Sequence, residues 1–210
     1  YSELEIDEAQ LAAVGFLATS VEEALAWADA SAAVTHSHPE GMRGARAIAA
    51  AIWLARQGLP AAEIERRVLA LTGCASPMSV AHHAQSFGFT VRADETVPMA
   101  LACALEANSW SEAVKNACHI GGDSDTLACM AGAIAEARFG LPREHALAAW
   151  EHLTPEMCAV VERFYVLAGR VLPTSEANLA IEPPSRAAPP ANTPARESLL
   201  HRLVSWIARL

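Results

Sequence analysis

About a fifth of the 210 residues are alanine and only 6% are aromatic, a bias toward closely packed helices and away from sheets, which need β-branched and aromatic side chains. Pro and Gly interrupt the alanine-rich runs at positions that start and stop helices. Ser20 with Glu23 forms a capping box, after which Val21, Leu25, Ala28 and Ala32 recur at helical spacing, so a helix is predicted over 20–34. Thr35 to Gly41 reads as a loop, Met42–Gln57 as the next helix, and Pro60 to Thr72 as another, closed by Gly73. Residues 74–97 read as an irregular connection with a short extended piece at Phe87–Val91. Pro98 opens a helix through Glu106, Ser109 with Glu112 launches 110–119, and further helices are predicted over 124–138, 142–153 and 155–171.

The reading is an all-α bundle. With 52% apolar and 19% charged residues, there is material for one sizeable core. Residues 1–172 are read as this helical domain. Six prolines among small polar residues make 173–196 a linker, and 197–210 form a short amphipathic helix with Leu199, Leu203, Trp206 and Leu210 on one side. That helix either docks on the same domain or meets a partner or membrane surface.

A net charge of −9 offers no basic stripe for a phosphate backbone, which argues against nucleic-acid binding. No apolar run is long enough for a transmembrane helix, and the acidic N-terminus is unlike a signal peptide. Five scattered cysteines without a C-x-x-C pair read as buried reduced thiols of a cytoplasmic protein. The chain begins at Tyr1 rather than Met, which raises the expectation of a missing upstream part.

Three local patterns can carry chemistry. Gly121-Gly122-Asp123-Ser124-Asp125-Thr126 opens a helix with two carboxylates and a hydroxyl, hard oxygen donors of the kind Mg²⁺ or Mn²⁺ takes. The same residues also suit a plain N-cap with an acidic first turn. An EF-hand is excluded, because counting from Asp123 the sixth position is Ala128 and the twelfth Ile134. His36 and His38 lie on the Thr-His-Ser-His-Pro corner, as pocket groups or as a hydrogen-bonded turn. His82-His83 has no accompanying carboxylate or cysteine spacing and reads as structural.

Taken together, Thr35 to Gly41, Glu95 to Leu101 and Gly121 to Ala128, followed by Gly132 to Ala137 and Phe139-Gly140, resemble the ADP-ribosylglycohydrolase family, nearest to its dinitrogenase-reductase-activating branch. The resemblance runs from about residue 12 to 170 and rests on separated motifs in the right order. It implies an all-helical metal-dependent hydrolase that removes ADP-ribose from a modified protein side chain or a related small conjugate. It also implies a dinuclear Mg²⁺ or Mn²⁺ centre with Asp123, Asp125 and Thr126 as ligands, and His36, Gly121 and Gly122 lining the substrate pocket. No catalytic residue is singled out. The family's other ligands, from a Thr-Asp-Asp-Thr type motif and an upstream Glu, have no counterpart in this sequence. The chain is therefore read as the C-terminal part of such an enzyme, inactive without its N-terminal segment. The alternative is a degenerate non-catalytic relative that binds ADP-ribose or serves as a structural or interaction module.

Overall fold

The computed structural model describes residues 9–35, 38–86 and 88–175. The predicted caps are made by the predicted atoms. Ser20 Oγ accepts the Glu23 N–H at 3.1 Å, and Ser109 Oγ accepts the Glu112 N–H at 3.1 Å. In return Glu23 takes the Thr19 N–H at 2.6 Å and Glu112 takes the Asn108 N–H at 2.9 Å, so orphan donors at both helix starts are satisfied reciprocally.

Ten helices and no strand form among the described residues. They fall into two units, 1–140 and 141–210. The first holds α1 (Ala9–Leu17), α2 (Val21–Thr35), α3 (Pro39–Arg56), α4 (Ala61–Thr72), α5 (Val80–Ser86), α6 (Ala93–Glu106), α7 (Trp110–Ile120) and α8 (Ser124–Phe139). The second holds α9 (Arg143–Trp150) and α10 (Pro155–Leu167). The all-α reading is borne out.

Several elements differ from the sequence reading, among them α9 and α10, which end at Trp150 and Leu167. Helix α1 was not predicted; it packs on α3. The loop expected over 35–41 gives way to α3 at Pro39, because His38 Nδ1 accepts the Glu40 N–H at 3.2 Å and a proline at the first helical position loses no intrahelical bond. Part of the irregular 74–97 stretch folds as α5, whose Val80 N–H is taken by Glu106 Oε1 at 3.0 Å from the end of α6. Helix α6 begins at Ala93, so Pro98 sits inside it. The proline costs one hydrogen bond, to a carbonyl still in the first turn. Phe87 and most of the Pro-rich stretch lie outside the described residues, as do 197–210.

Alanine sets how closely these helices approach. Ala45, Ala47, Ala49, Ala50 and Ala51 of α3 are fully buried with Ile48 and Ile52, and α6 is buried almost throughout. The closest approach is at Gly15 of α1, where a Cβ would lie 2.6 Å from Ile52 Cβ and 2.9 Å from the Ala49 carbonyl oxygen. Neither neighbour can swing aside as a flexible side-chain end could. Gly15→Ala is therefore expected to cost about 3 kcal/mol through overpacking, read as a lower urea midpoint at unchanged slope. A loss under 0.5 kcal/mol, within the ordinary range of surface substitutions, would contradict this packing. Arg56 holds the same junction by donating to the Gly15 carbonyl at 3.0 Å and the Ala18 carbonyl at 3.3 Å.

The expectation of uniformly buried cysteines is corrected. Cys103 is buried, Cys74 and Cys158 are half-buried, and Cys118 and Cys129 are exposed on α7 and α8; all five are free thiols. Burial, with Glu106 nearby, pushes the Cys103 thiol up to about 12, which leaves it inert.

Candidate functional site

Helix directions within the first unit decide which motifs share an end. Arg138, in the last turn of α8, inserts its guanidinium among the carbonyls of Ala104, Leu105 and Ala107 that close α6. The C-termini of α6 and α8 therefore lie together, and packing of the two helices carries their N-termini to the opposite end. Asn116 of α7 donates to the Cys103 carbonyl at 3.3 Å, so α7 runs antiparallel between them and delivers Gly121-Gly122 to that same end. There the first turns of α3 and α6 meet at a cleft of about 60 Å³, lined by Glu40, Arg43, Asp94, Val97 and Pro98 and closed by Cys74.

The starts of α3, α6 and α8, where the three sequence motifs lie, thus converge at one end of the unit. Part of their backbone N–H set is already taken locally: His38 Nδ1 accepts the Glu40 N–H, and the Asp125 carboxyl accepts those of Asp125 and Thr126.

Turn geometry at the third motif explains its glycines. Gly121 has φ 81° and ψ −151°, and Gly122 has φ 68°. Positive φ at two successive residues, the first in a region only glycine occupies without strain, reverses the chain between α7 and α8. A Cβ at Gly121 would meet nothing within 4 Å, so the constraint there is conformational and not steric. Gly121→Ala is expected to cost about 1–3 kcal/mol and to misplace Asp123. Thermal unfolding checks this, and an unchanged Tm would contradict it.

Asp123 is the N-cap of α8 by position, with φ −79° and ψ 62°, yet its side chain makes no capping hydrogen bond. Instead it bonds to the Asp125 carboxyl, which also accepts the backbone N–H groups of Asp125 and Thr126. In that order of size, these contacts hold Asp125 below the usual carboxylate range even though the side chain is solvent-exposed. Asp123 and Thr126 are half-buried. Two carboxyls thus lie within hydrogen-bond reach, and Thr126 follows directly in the chain. As a donor set this fits a hard divalent cation: it is all oxygen, at least one carboxylate is ionised at neutral pH, and a cation would relieve the repulsion once both are charged. It is also incomplete, because no group of three His, Cys, Asp or Glu side chains able to hold a metal occurs among the described residues.

The other sequence candidates divide. His38 is half-buried and serves as the N-cap of α3. His36 lies outside the described residues. Asp123, Asp125 and Thr126 share the end of the unit with the cleft but do not line it. Its carboxylates are already paired, Glu40 with Arg43 at 2.9 Å and Asp94 with Arg92 at 2.7 Å. The cleft was not foreseen, since it joins stretches about fifty residues apart; the only local sign was the Glu40/Arg43 spacing of three. His82 and His83 stand at the other end of α6, near Glu106. Burial, with His82 adjacent, depresses the His83 imidazole.

No curated protein matches the sequence significantly. The ADP-ribosylglycohydrolase family model matches residues 9–177, most of the chain and the whole of the span over which the motifs occur. With the all-helical fold and the double-glycine turn in place, the chain belongs to the ADP-ribosylglycohydrolase family.

Proposed function

We propose that this chain acts in the hydrolysis of the bond joining ADP-ribose to a protein side chain or a small conjugate, with Asp123, Asp125 and Thr126 as ligands to Mg²⁺ or Mn²⁺. Family membership supports the general activity, and members of the family generally depend on a divalent metal. The observation that carries the residue assignment is the Asp123 side chain, which leaves its own helix uncapped and bonds to Asp125. When bound, the cation would supply charge to orient sugar hydroxyls and lower the pKa of a water.

The chain's own residues would do the rest. Asp125, kept ionised, would hold negative charge where an oxocarbenium-like centre develops at the anomeric carbon. Gly121 and Gly122 would leave the approach to that centre open, with His36 as a pocket residue. Free cysteines fit a reducing, cytoplasmic setting, and no described helix is long and apolar enough to cross a membrane.

Two carboxylates and one hydroxyl fill at most half of an octahedral shell. Further ligands would come from outside the described residues, and the chain by itself is expected to turn over slowly or not at all. That incompleteness favours a second reading, a non-catalytic module that binds ADP-ribose. Release of ADP-ribose from a mono-ADP-ribosylated protein, followed in Mn²⁺ and in EDTA, separates the two. Release above background in Mn²⁺ alone supports the hydrolase. ADP-ribose binding without release in either condition supports the module, and equal release in both would refute the metal assignment.

A further inference from the structure

Helix α5 is only 7 residues long, too short to persist in water by its own hydrogen bonds, so it depends on its packing against α6 and α7. Val80 anchors its start: the side chain is buried and the N–H donates to Glu106 Oε1 at 3.0 Å. Ser79 Oγ caps the same end by accepting the His82 N–H at 3.2 Å. His83 works against this anchoring. Its ring is half-buried, and its Nε2 is shut off from solvent with no hydrogen-bond partner.

A nitrogen so placed is tolerable in a neutral ring and costly in a charged one. The neutral ring forgoes one hydrogen bond, whereas an imidazolium would bury a charged N–H with no acceptor. Two charged groups act on it. His82, on the same helix, lies edge to face with its ring centre 5.8 Å away and repels a second positive charge. Glu106 of α6 attracts one, but its Oε1 is already engaged by Val80. No titratable group of α7 among the described residues adds to these. Burial is the largest influence and Glu106 the smallest, so the docked ring titrates below the ordinary imidazole range.

We propose that α5 is a proton-released clasp, which stays docked on α6 and α7 while His83 is neutral and lets go when the ring takes a proton in mildly acidic solution. The released form binds a proton that the docked form excludes. Docking is therefore complete above the ordinary imidazole value of about 6.5 and weakens as the pH falls through it toward the lower value of the docked ring. The clasp stands at the end of α6 opposite the double-glycine turn and does not rest on the hydrolase reading.

Hydrogen–deuterium exchange of the full 210-residue chain, corrected for the intrinsic rate at each pH, tests this with α3 as the reference for folding. Between pH 7.5 and 5.5 the protection of the α5 amides is expected to fall by about threefold or more while that of α3 holds. His83→Phe keeps a flat ring that cannot take a proton, and should leave α5 equally protected at both values. His82→Asn should leave most of the fall in place, since burial outweighs the neighbouring ring. Protection of α5 that does not change with pH overturns the proposal, as does an α5 already unprotected at pH 7.5 in the unsubstituted chain, a fall that survives His83→Phe, or an equal fall in α3. Should the phenylalanine ring itself fail to dock, a nitrogen NMR titration of the unsubstituted chain decides: His83 is expected to take its proton below the ordinary value of about 6.5, and a midpoint at or above that value overturns the clasp.

Discussion

Arg138→Ala is expected to destabilise the first unit by about 3–5 kcal/mol, since a charged donor and the satisfaction of several buried carbonyls are lost together. One guanidinium nitrogen lies against the Ala104 carbonyl, 3.3 Å from that of Leu105 and 3.2 Å from that of Ala107. These carbonyls end α6 and have no intrahelical donor. A cation at a helix C-terminus is also favoured by the helix dipole. The guanidinium sits 4.5 Å over the Phe139 ring, so its removal leaves that contact unmade as well. Burial lowers the Arg138 pKa in direction, yet an arginine stays charged throughout the ordinary pH range. Arg138→Lys should recover only part of the loss, because an ammonium lacks the flat guanidinium face that lies over the Phe139 ring. Urea unfolding measures both variants, and a loss below 1 kcal/mol for the alanine variant would show that water satisfies these carbonyls unaided.

This arginine also marks a limit of what the residues reveal alone. Capping boxes at Ser20 and Ser109 were legible because donor and acceptor lie three residues apart. The side-chain cap on α6 comes from a residue about thirty positions away in α8, and nothing local announces it. Helix α5 escaped notice for the same reason, since the Glu106 carboxylate that accepts its Val80 N–H belongs to α6. Pro98 shows the opposite difficulty: it was read as a first-turn residue, and the helix begins five residues before it, at Ala93.

At the candidate site the reach was similar. The Gly-Gly-Asp-Ser-Asp-Thr pattern was conspicuous in the sequence, but whether its first carboxylate caps α8 or is directed elsewhere depends on the backbone at Gly121 and Gly122. The convergence of three helix starts depends on pairing between helices far apart in sequence, for which the motifs' order along the chain was only indirect testimony.

Asp125→Ala is expected to remove the chain's capacity for a divalent cation. Two facing carboxyls become one, and the remaining Asp123 and Thr126 form a donor pair too poor to displace water from a hard ion. Helicity should be nearly unchanged, since the Asp125 side chain is exposed. In a form of the protein that releases ADP-ribose, the same substitution should abolish the divalent-dependent part of that release.

The most direct measurement is titration of the 210-residue chain with Mn²⁺, following free Mn²⁺ by electron paramagnetic resonance at pH 7. The double-glycine turn as a cation site predicts saturable binding with a dissociation constant on the order of 10⁻⁴–10⁻³ M, lost in Asp125→Ala. Identical binding curves for the two proteins would contradict it.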